Sequence, residues 1–203
     1  QPYHGKLRLL ITGGIMKKYN IGIDIDGTLT FSGYFLPYLN EYFGRDIGYE
    51  ELNKYDFRDI YNVTDEEIMS FFRGEGKNLI FNADLLDGAR DTVNELSQKH
   101  NVWIITARKP DMHEKTRKWL DENGLEKIEL ITLGTPDKLQ KATELGCEIF
   151  IEDHPDASID IAAAGIKLYL VDAPYNKISE HENITRVHDW EEIRTIFRAE
   201  GIL

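Results

Sequence analysis

The chain has 203 residues, 41% of them hydrophobic, enough for a substantial core and best suited to one domain carrying an insertion. A formal net charge of −12 excludes a protein that coats nucleic acid, because there is no basic excess to release counterions from a polymer. No apolar run reaches the roughly 20 residues that span a bilayer; the single cysteine, Cys147, forbids an internal disulfide and points to a reducing cytoplasm.

At the start, Lys6 and Arg8 sit around LRLLIT, an apolar run too brief for a signal sequence, and Met16-Lys17-Lys18 reads as a native beginning. Residues 1–15 are therefore expected to be an appended or upstream extension, largely disordered. The stretch 21–30, IGIDIDGTLT, begins as an apolar strand and ends in Asp24 and Asp26, followed by Gly27 and Thr28. Period-two alternation sets the two carboxylates on one side of an extended chain. Like charges so close call for a cation or a proton between them.

Residues 31–82 are rich in aromatics and hold no long β-branched run. Leu36, Leu39 and Phe43 recur at helical spacing, Thr64 and Glu67 have the spacing of a capping box, and residues 73–77 read as a loop. The expectation is a small helical insertion between core segments 16–30 and 83–203. From Ala83 onward helix and strand alternate. Strands are expected at 102–106, 128–132, 148–151 and 167–171. Asp111 with Glu114, Thr135 with Pro136, Pro155 and Asp189 mark the starts of the intervening helices, and Cys147 is expected to be a buried filler. Such alternation implies an α/β fold, a doubly wound parallel sheet with helices on both faces.

Four pieces fall at strand ends or helix starts: Asp24-x-Asp26-Gly27-Thr28, Thr106 in IITAR, Lys138 in TPDK, and Glu152-Asp153 in IEDHPD. Their order resembles the haloacid dehalogenase-like hydrolase superfamily, over residues 19–171. The resemblance implies that Asp24 is a nucleophile forming an aspartyl-phosphate, and that Asp26 is acid to the leaving alcohol and then base toward water. It implies a Mg²⁺ held by the Asp24 carboxylate, the Asp26 carbonyl and the Asp153 carboxylate, with Glu152 and Asp156 supporting. Glu152 is a mild departure, since members often carry Asp there. Gly27, Thr28, Thr106, Ala107, Arg108 and Lys138 are the candidates for contacting a phosphoryl group, with Lys138 on the first turn of its helix.

The aromatic insertion and Pro174-Tyr175-Asn176 are similar to the 5′(3′)-deoxyribonucleotidase branch and bacterial nucleotidases. Phe31, Tyr34, Phe57, Phe71 and Phe72 are candidates for stacking on a base, and Arg73 or Lys77 for a second polar group. The first expectation is a Mg²⁺-dependent 5′-nucleotidase with a small phosphorylated substrate. The alternatives are a phosphatase of sugar phosphates or other small monoesters, and a non-catalytic domain that binds Mg²⁺ and a phosphorylated ligand.

Overall fold

The apolar runs that stop at polar residues form six strands of one all-parallel sheet. They are β1 (Asn20–Ile23), β2 (Asn101–Thr106), β3 (Glu129–Thr132), β4 (Ile149–Glu152), β5 (Lys167–Val171) and β6 (Ile184–Val187), in the spatial order β3-β2-β1-β4-β5-β6. This computed structural model describes residues 17–178 and 180–203, so the expectation for residues 1–15 lies outside the described residues.

Both faces of the sheet are covered because side chains alternate along each strand. Ile149, Ile151, Tyr169 and Val171 join one cluster with α4 (Ala89–Lys99), α5 (His113–Glu122) and α8 (Trp190–Ala199). Phe150, Leu168 and Leu170 point the other way, to α6 (Leu139–Glu144) and α7 (Pro155–Ala163). Cys147 is buried in this second cluster, as expected, and its thiol is pushed up to about 11 by burial. None of the described helices is long and apolar enough to cross a membrane.

The stretch between β1 and α4 holds α1 (Leu36–Phe43), α2 (Phe57–Tyr61) and α3 (Asp65–Arg73) around a third cluster that includes Leu39, Tyr61 and Phe71. Thr64 and Glu67 form the expected capping box: the Glu67 amide donates to Thr64 Oγ1 at 3.3 Å, and the Thr64 amide donates to Glu67 Oε2 at 2.8 Å. Where the chain leaves and re-enters the sheet layer, the two connections touch. Thr30 and Leu85 form an antiparallel bridge, and the Leu86 amide donates to Leu29 O at 2.8 Å.

Two helix starts differ from expectation. Asp111 caps nothing, because Pro110 opens a 3-10 turn (Pro110–Met112) and α5 begins only at His113 with no side-chain cap. The Thr135 hydroxyl is taken up in a tight turn, accepting from the Asp137 amide at 3.2 Å, which delays α6 to Leu139. Lys138 is therefore the residue before that helix and not on its first turn. The short α2 and the edge strand β6 were not anticipated.

Candidate active site

After β3 the chain returns across the sheet and lays β4 on the free side of β1. The connections diverge at this point, leaving a crevice beyond the carboxyl ends of β1 and β4, where open α/β sheets bind ligands. Ile23 lies beside Ile151 in the register, and the Asp24 amide donates to Ile151 O at 3.0 Å. Asp24 thus leaves β1 level with Glu152 and Asp153 leaving β4.

All three carboxylates are buried, and one oxygen of each lies within 4.8 Å of the others. Lys138 Nζ sits between two of them, 2.8 Å from Asp24 Oδ1 and 2.6 Å from Glu152 Oε2. Glu152 Oε1 accepts from the amides of Asp153 (3.2 Å) and His154 (3.0 Å), so both of its oxygens are engaged. Burial pushes the Asp24 carboxyl well up, with Lys138 opposing and the neighbouring carboxylates reinforcing. Burial, then Glu152, raises Asp153 to about 7. Burial alone would lower the Lys138 ammonium, but Asp24 and Glu152 outweigh it and raise it. It stays charged.

Three buried carboxylates against one ammonium leave a negative excess, which suits a divalent cation with a taste for hard oxygens. The Asp26 carbonyl accepts no hydrogen bond among the described residues, so it too is free to serve as a ligand. The donor set fits Mg²⁺.

Asp26 is placed differently from Asp24. The strand ends at Ile23, the alternation stops, and the half-buried Asp26 side chain turns to Arg108, accepting from Nε at 2.9 Å and from Nη2 at 2.8 Å. The Arg108 guanidinium is itself buried, 5.1 Å from the Trp119 ring and 5.5 Å from Phe81. Sequence reasoning set Arg108 among the candidates for contacting a phosphoryl group and gave no hint of this pairing. Gly27 follows at φ +91°, and a Cβ there would lie 2.2 Å from Asp153 Oδ2. Only glycine allows the backbone so close.

Thr106 is buried at the end of β2, and its Oγ1 accepts from the Arg108 amide at 3.2 Å, leaving the hydroxyl hydrogen free to donate. The amides of Asp26, Gly27 and Ala107 have no acceptor among the described residues. Thr28 is otherwise occupied: its amide donates to Ile25 O at 3.1 Å and its hydroxyl to Asp153 Oδ1 at 2.9 Å. Asp156 is exposed on the first turn of α7, away from the carboxylate cluster.

The family profile described as 5′ nucleotidase, deoxy (pyrimidine), cytosolic type C protein matches residues 18–201. The chain belongs to this family. It is similar to a nucleotidase of Clostridium acetobutylicum, 33% identical over 178 residues, which cover 88% of this chain and 93% of the relative. Among solved structures, a haloacid dehalogenase-like hydrolase of Streptococcus pneumoniae has the same fold at TM-score 0.63 and 17% identity, with 89% of this chain and 98% of that one covered. A hydrolase of Deinococcus radiodurans, solved with bound phosphate and sodium, follows at TM-score 0.60 and 14% identity over 93% and 98%. The chain is thus an enzyme of the nucleotidase branch of the haloacid dehalogenase-like hydrolases.

In this nucleotidase two further residues serve the carboxylate cluster. The 3-10 turn Pro174–Asn176 follows β5; the Tyr175 hydroxyl donates to Asp153 Oδ2, and Asn176 Nδ2 donates to the Asp153 carbonyl at 2.8 Å. The sequence marked these two only by resemblance, because a partner more than 20 residues away leaves no local signal. His154 caps α7 and lies 4.0 Å from the Tyr55 ring. A cleft of about 1010 Å³ opens above Asp26, Gly27 and Arg108. Tyr34, Phe57 and Phe72 line it, whereas Phe31 packs on Tyr49 and Phe71 is buried in the third cluster.

Proposed function

We propose that the protein is a Mg²⁺-dependent phosphomonoester hydrolase acting on (deoxy)ribonucleoside monophosphates through a phosphorylated Asp24. The observation that supports this reading is the convergence of Asp24, Lys138, Glu152 and Asp153 at one buried switch point. The Asp24 carboxylate attacks phosphorus, and the bond to the ester oxygen breaks as Asp26 gives that oxygen a proton. Asp26 then takes a proton from water, which attacks phosphorus and releases phosphate, regenerating Asp24.

Lys138 favours the ionised form of Asp24 against its burial and holds its Oδ1 at 2.8 Å. Its charge, the Thr106 hydroxyl and the free amides of Gly27 and Ala107 hold the phosphoryl oxygens. Arg108 fixes Asp26 through both oxygens, so proton transfer requires this pair to open as the ester enters. Asp24, Asp153 and the Asp26 carbonyl would hold Mg²⁺, oriented by Thr28, Tyr175 and Glu152. When bound, the ion neutralises charge on the transferring phosphoryl group.

Residues 31–82 act as a cap over the core segments, and Tyr34, Phe57 and Phe72 offer rings for the base, worth about 1–3 kcal/mol per stacked base. A single cysteine, free and buried, supports a reducing cytoplasm as the enzyme's location. The test is phosphate release from a panel of nucleoside monophosphates and sugar phosphates, with and without Mg²⁺. Nucleotides should be preferred, and Asp24→Asn should abolish turnover with the circular dichroism unchanged. Equal turnover of sugar phosphates would remove the nucleotide from the reading. A wild-type protein that hydrolyses nothing yet binds these ligands would be a regulatory domain.

A further inference from the structure

We infer that the cleft takes a phosphomonoester whose far end carries a second anionic group, the class that includes nucleoside 3′,5′-bisphosphates. The inference rests on the reading of Asp24 as the reacting centre and adds what the rest of the cleft is built to hold.

The sign of the charge along the cleft opposes that of the chain. In a protein of formal net charge −12, the lining holds six cationic side chains, Lys54, Arg73, Lys77, Arg108, Lys109 and Lys115. It holds three carboxylates, Asp26, Asp56 and Asp111, and two of these are already paired, Asp26 with Arg108 and Asp56 with Arg58.

The lysines stand out further by what they lack. Among the described residues most lysines have a carboxylate within 4.0 Å, as Lys17, Lys99, Lys118, Lys138, Lys141, Lys167 and Lys177 do. Six do not: Lys18, Lys54, Lys77, Lys109, Lys115 and Lys127. Four of these six line this one cleft. Cations left without partners around one concavity attract an anion, and a low-dielectric wall of aromatic rings strengthens the field there.

The anion they attract is not the scissile phosphate. Asp24, Lys138, Glu152 and Asp153 are buried behind Asp26 and Gly27, where the cleft meets the site, whereas Lys54, Lys77, Lys109 and Lys115 are exposed. A group reaching these lysines lies at the solvent end of a substrate whose phosphoryl group is at Asp24. A neutral base or sugar makes no use of an ammonium, and a 5′-diphosphate would place its second charge beside the first. A second phosphate across the sugar fits.

The cations also come from both walls. Lys54, Arg73 and Lys77 belong to the insertion, and Lys109 and Lys115 to the segment after β2. Lys115 Nζ reaches across to Asn78 Oδ1 at 3.2 Å, next in sequence to Lys77, with the Phe81 ring 5.8 Å away. The second anion therefore ties insertion to core while the first phosphate is at Asp24.

The test compares thymidine 5′-monophosphate with thymidine 3′,5′-bisphosphate, reading phosphate release by the Mg²⁺-loaded enzyme and binding by calorimetry to Asp24→Asn. At low ionic strength, kcat/KM for the bisphosphate should exceed that for the monophosphate by roughly tenfold or more, the advantage shrinking as salt screens exposed charges. The double variant Lys54→Ala/Lys115→Ala should bring the ratio near one while kcat/KM for the monophosphate stays within about twofold and the melting temperature is unchanged. Equal kcat/KM for the two substrates in the wild type, or an equal loss for both in the double variant, overturns the inference and leaves the phosphatase reading standing. Hydrolysis of neither, with the bisphosphate still bound more tightly through the lysines, overturns the phosphatase reading and sustains the second-anion site.

Discussion

Replacing Lys138 with methionine keeps the length of the side chain and removes the ammonium that lies 2.8 Å from Asp24 and 2.6 Å from Glu152. The three side chains are 2%, 7% and 0% exposed, so water cannot take over the lysine's work. Removing one member of a pair this deeply buried costs about 3–5 kcal/mol, because the remaining charges are left uncompensated. For a domain of this size that lowers Tm by roughly 6–20 °C. Urea unfolding of the metal-free protein at pH 8, followed by tryptophan fluorescence, measures the loss directly. The loss should shrink as pH falls toward 4 and the raised Asp24 and Asp153 carboxyls take up protons in the folded chain. Adding Glu152→Gln should recover much of the stability and none of the activity. A loss below about 1 kcal/mol at pH 8, or no recovery in the double variant, would refute the idea that Lys138 is the electrostatic hinge of the cluster.

Asp153 gives a pH dependence of known sign. Its folded value, raised to about 7 by burial and then Glu152, exceeds the ordinary 3.8, so the folded chain binds the extra proton between them. Stability of the metal-free protein should fall as pH rises from about 4 to about 7; Asp153→Asn should flatten that slope in thermal melts, and Mg²⁺ should oppose it. Tyr175→Phe deletes the hydroxyl on Asp153 Oδ2 and should weaken Mg²⁺ by roughly 10–100-fold in a metal titration of activity, with little change in Tm. Gly27→Ala forces a side chain at φ +91° and toward Asp153. It should cost at least about 1–2 kcal/mol in unfolding assays and lose most Mg²⁺-dependent turnover.

The strands were legible where burial on both faces makes them continuous apolar runs, as in IGI before Asp24 and IFI before Glu152. β6 was not, because Ile184, Thr185 and Arg186 are only half-buried on the sheet's edge and read as mixed polar sequence. The site residues at strand ends were legible for the same reason that they function, since a polar group directly after a buried run has few other purposes. Lys138 was recognised by its company but set on the wrong turn, because a tight turn in which the Thr135 hydroxyl accepts from the Asp137 amide cannot be told from a helix cap by composition. Arg108, Tyr175 and Asn176 act on Asp26 and Asp153 across the fold. No periodicity within a chain segment names a partner 82 residues away, as Arg108 is from Asp26.

The sheet order also decides when this enzyme comes into being. β1 comes first among the described elements, yet one of its neighbours, β4, follows more than 120 residues later; Thr28 and Asp153, which must meet, are 125 apart. At about 5–20 residues per second, Asp24 waits roughly 6–25 s on the ribosome before its partners exist. Until then its carboxylate remains in water and suffers no desolvation. The unfavourable burial of like charges is thus postponed to the step at which β4 docks, when Lys138 and the metal can enter together. Contacts so remote in sequence are slow to form. Metal binding should therefore report on completed folding, and a shortened chain ending before β4 should carry no phosphatase activity.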